Sequence, residues 1–424
     1  MKAPALPALF LCSIFRFSGE ETTSMAGLYI HIPFCIRKCL YCDFYLEPLG
    51  TGPIAERLKT HQKLRKTPFL DALATEFRLL PQLKTESESG AEMEDSDHPP
   101  VIRTVYIGGG TPTELAPEDF LRLFDELALA FDFDDVVEFT VEANPATLTR
   151  EKVDLMLERG VTRISLGVQS FDDDVLEMLG RIHNAEEARE TVVMLRSAGV
   201  DNLNLDLIIN LPGSSLAQVD WDLENLIELS PEHCSCYALD WTPGTHLTTL
   251  RDQGKMTEID DELAIAQYQH LRKKLIAAGF HHYELFNFAR PGHESQHNIA
   301  TWRGGDYLGF GPSASSHLGG TRMTNVASLR LYQEHLLAGR SPVVESETLD
   351  ANRKARELLM TALRQVDGVP RDWFHDRTGF EVEDLVGDVL KDLGAKGWIG
   401  QDAERVWITA DGIYLSNRIF EAIL

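Results

Sequence analysis

The sequence predicts an α/β chain whose first 250 residues wrap strands and helices into a partial (β/α)6 barrel. Six β-rich apolar runs, 28–32, 104–107, 138–142, 163–169, 202–209 and 234–239, alternate with segments of helical period. Strands separated by helices pair in parallel through right-handed crossovers. Six units are too few for a closed eight-fold barrel and suit either a partial barrel or an open doubly wound sheet. Polar or unusual residues follow each run, where barrel active sites are built, whereas an open sheet gathers its site at one switch point.

In chain order, the first run enters a loop with Cys35, Cys39 and Cys42. Thr67 and Pro68 then stand as cap and first residue of a helix over 68–83. The second run ends in Gly108-Gly109-Gly110-Thr111-Pro112, the third on Glu142 and the fourth on Gln169; the fifth contains Asp206, and Asp240 follows the sixth. Helical periods cover 117–131, 150–159, 172–198 and 216–229. After residue 250 a helix over 258–278 precedes an irregular region rich in His and Gly. A block over 351–424 reads as helices ending in the apolar Val406-Trp407-Ile408 and Gly412, a winged-helix-like order. The expected divisions are 1–24, 25–250, 251–350 and 351–424.

A formal charge of −26 argues against a nucleic-acid or anionic-membrane partner and points to a carboxylate-rich solvated surface. That charge also makes protein packing the better expectation for the winged-helix-like block. Residues 1–24 are mostly apolar, but too short a run to span a bilayer and without a clean cleavage site. They read as a non-native extension ahead of Met25, in a cytoplasmic protein that meets membranes only through a partner. The stretch 84–100 is acidic and low in complexity, an insertion in the first crossover. Lys59, Lys63, Arg65 and Lys66 form a small basic patch, read as a solvated face.

Three close thiolates repel one another unless a cation shares their charge. The C-x3-C-x2-C spacing supplies one thiolate fewer than a [4Fe-4S] cluster takes, leaving one iron free to bind a small molecule. Zinc, with His31 or Asp43 as fourth ligand, and a disulfide remain alternatives; the other cysteines, Cys12, Cys234 and Cys236, form no second zinc knuckle. The glycines after the second run let backbone approach a ligand. Glu142 offers a carboxylate, with helix capping or a surface position as its other reading. Gln169, Arg181 and Asp206 are polar groups in apolar surroundings and need partners, which structural hydrogen bonds alone would satisfy.

The cysteine spacing, with aromatic Tyr41 before Cys42, resembles the radical S-adenosylmethionine (SAM) superfamily. That resemblance implies a six-stranded partial barrel, a [4Fe-4S] cluster on Cys35, Cys39 and Cys42, and SAM bound through its amino and carboxylate groups to the fourth iron. It also implies that Gly109 and Gly110 cradle the methionine end of SAM. The phrase Tyr29-Ile30-His31-Ile32-Pro33-Phe34-Cys35 narrows the resemblance to oxygen-independent coproporphyrinogen III oxidases and their relatives. There Gly110, Thr111, Gln169, Arg181 and Asp206 line a second SAM site, and Tyr29, Tyr41 and Glu142 join the cofactor residues. Asp43-Phe44 follows Cys42 where the oxidase carries a further cysteine, and little sequence precedes Tyr29. Both features resemble HemW-type haem chaperones, which implies haem, haem-accepting apoproteins with respiratory-chain proteins among them, and a chaperone rather than the oxidase that decarboxylates coproporphyrinogen III.

The stretch Gln296-His297-Asn298-Ile299-Ala300-Thr301-Trp302 resembles the His-Asn-x-x-Tyr-Trp motif of that family, with Thr301 in place of Tyr. His297 is the candidate axial haem ligand; a structural histidine bonded to backbone is the other reading. His281, His282, His293 and His317 are weaker candidates. Phe286, Phe288, Trp302, Tyr307 and Phe310 are expected either to face a porphyrin on the barrel's open side or to pack the barrel mouth.

Overall fold

The structure is a computed structural model that describes residues 25–50, 66–83 and 101–424. The expected extension over 1–24, the acidic insertion over 84–100, and Lys59, Lys63 and Arg65 lie outside the described residues. Lys66 lies within them and corrects the reading of a solvated patch. It is fully buried, and its ammonium donates to the Glu114 carbonyl.

The six apolar runs become β1 (Met25–Ile32), then, after two short strands β2 (Phe34–Cys35) and β3 (Glu47–Pro48), β4 (Val101–Gly109), β5 (Glu138–Ala143), β6 (Arg163–Gln169), β7 (Leu203–Ile209) and β8 (His233–Ala238). They pair in parallel in chain order, β1-β4-β5-β6-β7-β8, without a switch point, as a barrel wall does. Alternation explains the two faces: Leu28 and Ile30 are fully buried under the outer helices, while Tyr29 and His31 point to the other face.

Helices follow where local signals start them. Thr149, Ser215 and Asp260 accept from the third residue beyond themselves. The single helix expected over 172–198 is two, Asp173–Leu179 and Ala185–Ala198. Gly180 ends the first in the left-handed region, and Asn184 with Glu187 forms a capping box that starts the second. The break turns Arg181 toward the cysteine loop.

The region after residue 280 is more regular than its sequence implies. β9 (His281–Glu284) and β10 (Asn287–Ala289) extend the β8 edge, and β11 (Asp306–Phe310) pairs in parallel with β1. β12 (Ser315–Leu318), β13 (Thr321–Asn325) and β14 (Val343–Thr348) continue outward, giving twelve strands in one sheet among the described residues. The lateral gap expected beside a six-stranded wall is thus partly walled by β11 and β12. The C-terminal block has helices Ala351–Ala362, Arg371–Thr378 and Val382–Ala395 with a small three-stranded sheet. It joins the main sheet through Leu285 N to Arg364 O and Val366 N to Tyr283 O.

Glu76, on helix Thr67–Leu83, ties that helix to the added strands. Its buried carboxylate accepts from Gly311 N (2.9 Å), Asn325 Nδ2 (2.6 Å) and the Tyr332 hydroxyl. Burial pushes its pKa up to about 7 although these donors favour the charge. The folded state therefore keeps a proton that the unfolded chain releases at lower pH, so this group's contribution to stability falls as pH rises toward 7. Glu76→Gln is expected to flatten that part of the decline in urea midpoints between about pH 5 and pH 8. An unchanged slope would contradict the assignment.

Candidate functional site

Two cavities meet at the cysteine loop. The first, of about 410 Å³, lies inside the barrel and is lined by Cys35, Cys39, Tyr41 and Cys42 from the loop. Gly109, Gly110, Thr111, Glu142, Gln169, Arg181 and Asp206 line it from neighbouring strand ends and connections. Of the three cysteines and the ten principal cofactor residues expected from the sequence, eleven therefore share one cavity. The other two, Tyr29 and His297, line a second cavity of about 420 Å³ with His31, Tyr45, Thr301 and Tyr307. Asp43 and Phe44 border both cavities.

Backbone and side-chain bonds hold the cysteine loop. Leu40 N donates to Leu179 O (3.0 Å), Leu247 N to Leu40 O (2.8 Å), and Arg37 Nε to Gly180 O (2.8 Å). Cys35 Sγ shares a hydrogen bond with Thr111 Oγ1 (3.1 Å), and Arg181 donates to Cys39 Sγ (3.5 Å), the Tyr41 hydroxyl (3.4 Å) and Gly167 O (2.6 Å). Burial pushes the Cys35 thiol up to about 12 and Cys42 to about 11, so a cation must replace their protons before they act as thiolates. Among the described residues no three His, Cys, Asp or Glu side chains converge as one metal ion requires. His31 is moreover engaged at both ring nitrogens, by the Tyr29 hydroxyl (3.0 Å) and Tyr45 O (2.9 Å), which removes it as a fourth zinc ligand.

Glu142 is neither a helix cap nor a surface acid. It accepts from Gly109 N (3.0 Å) and the Tyr106 hydroxyl (2.8 Å), and burial pushes its pKa up to about 7. Asp206 accepts from Asn204 (2.7 Å) and Ser165 (3.4 Å), and burial raises its pKa also. Gln169 holds a left-handed φ of 73° at the end of β6, a strained position for a non-glycine residue of the kind found at ligand sites.

His297 is the second residue of the helix Gln296–Trp302, whose N-terminus meets the start of β5. Glu138 accepts from the backbone of Gln296 (2.8 Å) and His297 (3.2 Å) and fixes its N-terminus. His297 Nδ1 shares a hydrogen bond with Thr104 Oγ1 (2.9 Å), a side chain rather than backbone, and burial pushes its pKa down to about 4. Thr301 bonds back to His297 O (2.9 Å) and lines the same cavity. Asn298 faces the first cavity instead.

Of the two expectations for the aromatics after residue 280, the shared porphyrin face is not formed. Phe288 stacks on His282, Phe310 packs against Phe77 and Phe131, Phe286 lies edge-on to Tyr268, and Trp302 lies under Arg364. Of the five aromatics only Tyr307 lines the second cavity. His282 is buried with both ring nitrogens engaged, and His281 and His317 pair with Glu294 and Asp306. Sequence reasoning missed Tyr106, Arg163, Ser165, Asn204, Ser235 and Tyr237, which line the first cavity. The available signal was polarity inside strands that otherwise read as buried.

Among the described residues no helix is long and apolar enough to cross a membrane. The sequence profile of the Radical SAM superfamily matches residues 29–226, and that of the HemN C-terminal domain matches 349–415. The chain is 34% identical over 401 residues to the heme chaperone HemW of Bacillus subtilis, covering 94% of this chain and 99% of that protein. The Escherichia coli heme chaperone HemW is 32% identical over 401 residues, with coverage of 94% and 98%. A mitochondrial radical S-adenosyl methionine domain-containing protein 1 of Bos taurus is 30% identical over 426 residues, covering 96% and 89%. The solved coproporphyrinogen III oxidase (HemN) of Escherichia coli matches with a TM-score of 0.77 at 22% identity, over 94% of this chain and 90% of that one, which shows a shared fold. Because the likeness to the curated relatives runs through both the barrel and the C-terminal block, the chain belongs to the HemW family of the radical SAM superfamily.

Proposed function

We propose that this chain binds haem in the second cavity and passes it to acceptor apoproteins, with a [4Fe-4S] cluster on Cys35, Cys39 and Cys42 and SAM in the first cavity. The observation that carries the haem assignment is the environment of His297. Nδ1 is occupied by Thr104, whereas Nε2 bonds to no described residue, and the ring lines a cavity that borders the cysteine loop through Asp43 and Phe44. Its lowered pKa keeps the imidazole neutral, the form that ligates iron, and a hydrogen bond at the other nitrogen orients such a ligand. The full-length relatives named heme chaperones support the same reading.

The donor set of the first cavity fits a cluster and SAM. Three thiols face one space without converging on a single ion, and Gly109, Gly110, Thr111, Glu142, Gln169, Arg181 and Asp206 offer backbone, carboxylate, amide and guanidinium groups around it. When bound, the cluster supplies an electron for cleavage of a carbon–sulfur bond of SAM. Arg181 keeps a positive charge against Cys39 and holds Tyr41, while Glu142 fixes Gly109. Tyr29, expected with the SAM residues, lines the second cavity. Barrel and chaperone then share one chain in a cytoplasmic protein whose acceptors include respiratory-chain proteins.

Replacing His297 by Ala and titrating with haemin tests the reading, with the Soret band followed separately from the cluster's absorbance. Haem affinity is expected to fall at least about tenfold with the cluster intact. Unchanged affinity would move the haem elsewhere, and joint loss of haem and cluster would make His297 structural.

A further inference from the structure

Arg163 opens β6, at the end of the strand opposite Gln169, and lines the first cavity while only 3% exposed. Among the described residues its guanidinium makes no hydrogen bond and no ion pair, and Nε is sealed from solvent without an acceptor. A buried guanidinium with unused donors is costly, so something must answer it.

The nearby acids are already committed. Glu138 accepts from Ser295 and from the backbone of Gln296 and His297; Glu142 accepts from Tyr106 and Gly109; Asp206 accepts from Asn204 and Ser165. They lie close enough for the charge of Arg163 to be felt at Glu142 and Asp206, yet none closes on its fork. Arg163 stands at the start of β6, six positions before Gln169 or about 20 Å at ~3.3 Å per residue, so its guanidinium serves the deep end of the same cavity.

We propose that Arg163 recognises the carboxylate of a small molecule entering the deep end of the first cavity. The planar fork matches a carboxylate in two parallel hydrogen bonds, which a lysine or an amide in its place would not reproduce. Two sources carry this group on a flexible arm: the amino-acid end of a SAM-type molecule, and a propionate of a tetrapyrrole. The inference does not rest on haem at His297, because the guanidinium faces the first cavity whatever fills the second.

The test uses the full chain with its cluster reconstituted, in wild type, R163Q and R163K. Binding of haemin is compared with that of its dimethyl ester, and S-adenosylhomocysteine with its methyl ester. For one of the two pairs the acid is expected to bind the wild type at least about tenfold more tightly than the ester. R163Q is expected to erase that preference and R163K to retain part of it, and the pair that responds names the source. A preference absent from the wild type in both pairs, or surviving R163Q unchanged, would reduce Arg163 to a counter-charge for Glu142 and Asp206. Should R163Q fail to fold, an arginine-selective dicarbonyl on the wild type decides, read by mass spectrometry at Arg163. Protection by the acid and not by its ester supports the proposal, and equal protection by both overturns it.

Discussion

Replacing any one of Cys35, Cys39 and Cys42 by serine is expected to abolish the cluster, leaving anaerobically reconstituted protein without its brown colour, labile sulfide or four irons per chain. A serine hydroxyl stays protonated where a thiol ionises against iron, and two remaining thiolates do not hold a cubane. The fold is expected to survive, because the loop is also fixed by Leu40 to Leu179, Leu247 to Leu40 and Arg37 to Gly180, none of which involves sulfur. Iron, sulfide and zinc analysis with far-ultraviolet circular dichroism separates the cases. Stoichiometric zinc without labile sulfide in the wild type would contradict the cluster.

The second large effect is expected at the glycines that follow β4. Gly109 holds φ at +107°, and a Cβ there would meet the His31 ring at 2.5 Å. A Cβ on Gly110 would meet the carbonyl oxygens of Phe34 and Ile32 at 2.8 and 2.9 Å. These are the carbonyls to which Thr111 N and Gly110 N bond, so alanine would push the glycine loop off the strand that leads into the cysteines. Each alanine is expected to cost about 2–4 kcal/mol and to reduce cluster retention, read as urea midpoint and iron content. Gly160 provides the control: its φ is +85° and a methyl added there would meet nothing within 4 Å, so Gly160→Ala reports backbone strain alone, about 1 kcal/mol. Equal losses at Gly109 and Gly160 would mean that contact with His31 contributes nothing.

The parallel wall was legible because its strands are long apolar runs separated by capped helices, and each falls within a few residues of its expected place. β9 to β13 were not, since each has five residues or fewer and the stretch around them is punctuated by Gly and His, which breaks any period. The helix break at Gly180 was available from Asn184 and Glu187 but was hidden inside a continuous amphipathic pattern. In the site, residues at strand ends were found because ends are where polarity stands out. Arg163, Asn204 and Ser235 lie at or near the opposite ends of their strands, and only the fold turns their side chains to the same cavity. The aromatics after residue 280 illustrate the reverse case: composition named them for a porphyrin face or for packing, and sheet alternation sent Phe288 and Phe310 into the core.

The most direct measurement of the central claim sets haem carriage against oxidative decarboxylation in one preparation. The reconstituted protein is incubated with SAM, a reductant and coproporphyrinogen III, and in parallel is loaded with haemin and mixed with an apo-acceptor. Haem is expected bound on the chain and then recovered on the acceptor, with no protoporphyrinogen formed. Appreciable protoporphyrinogen, with no haem reaching the acceptor, would contradict that claim.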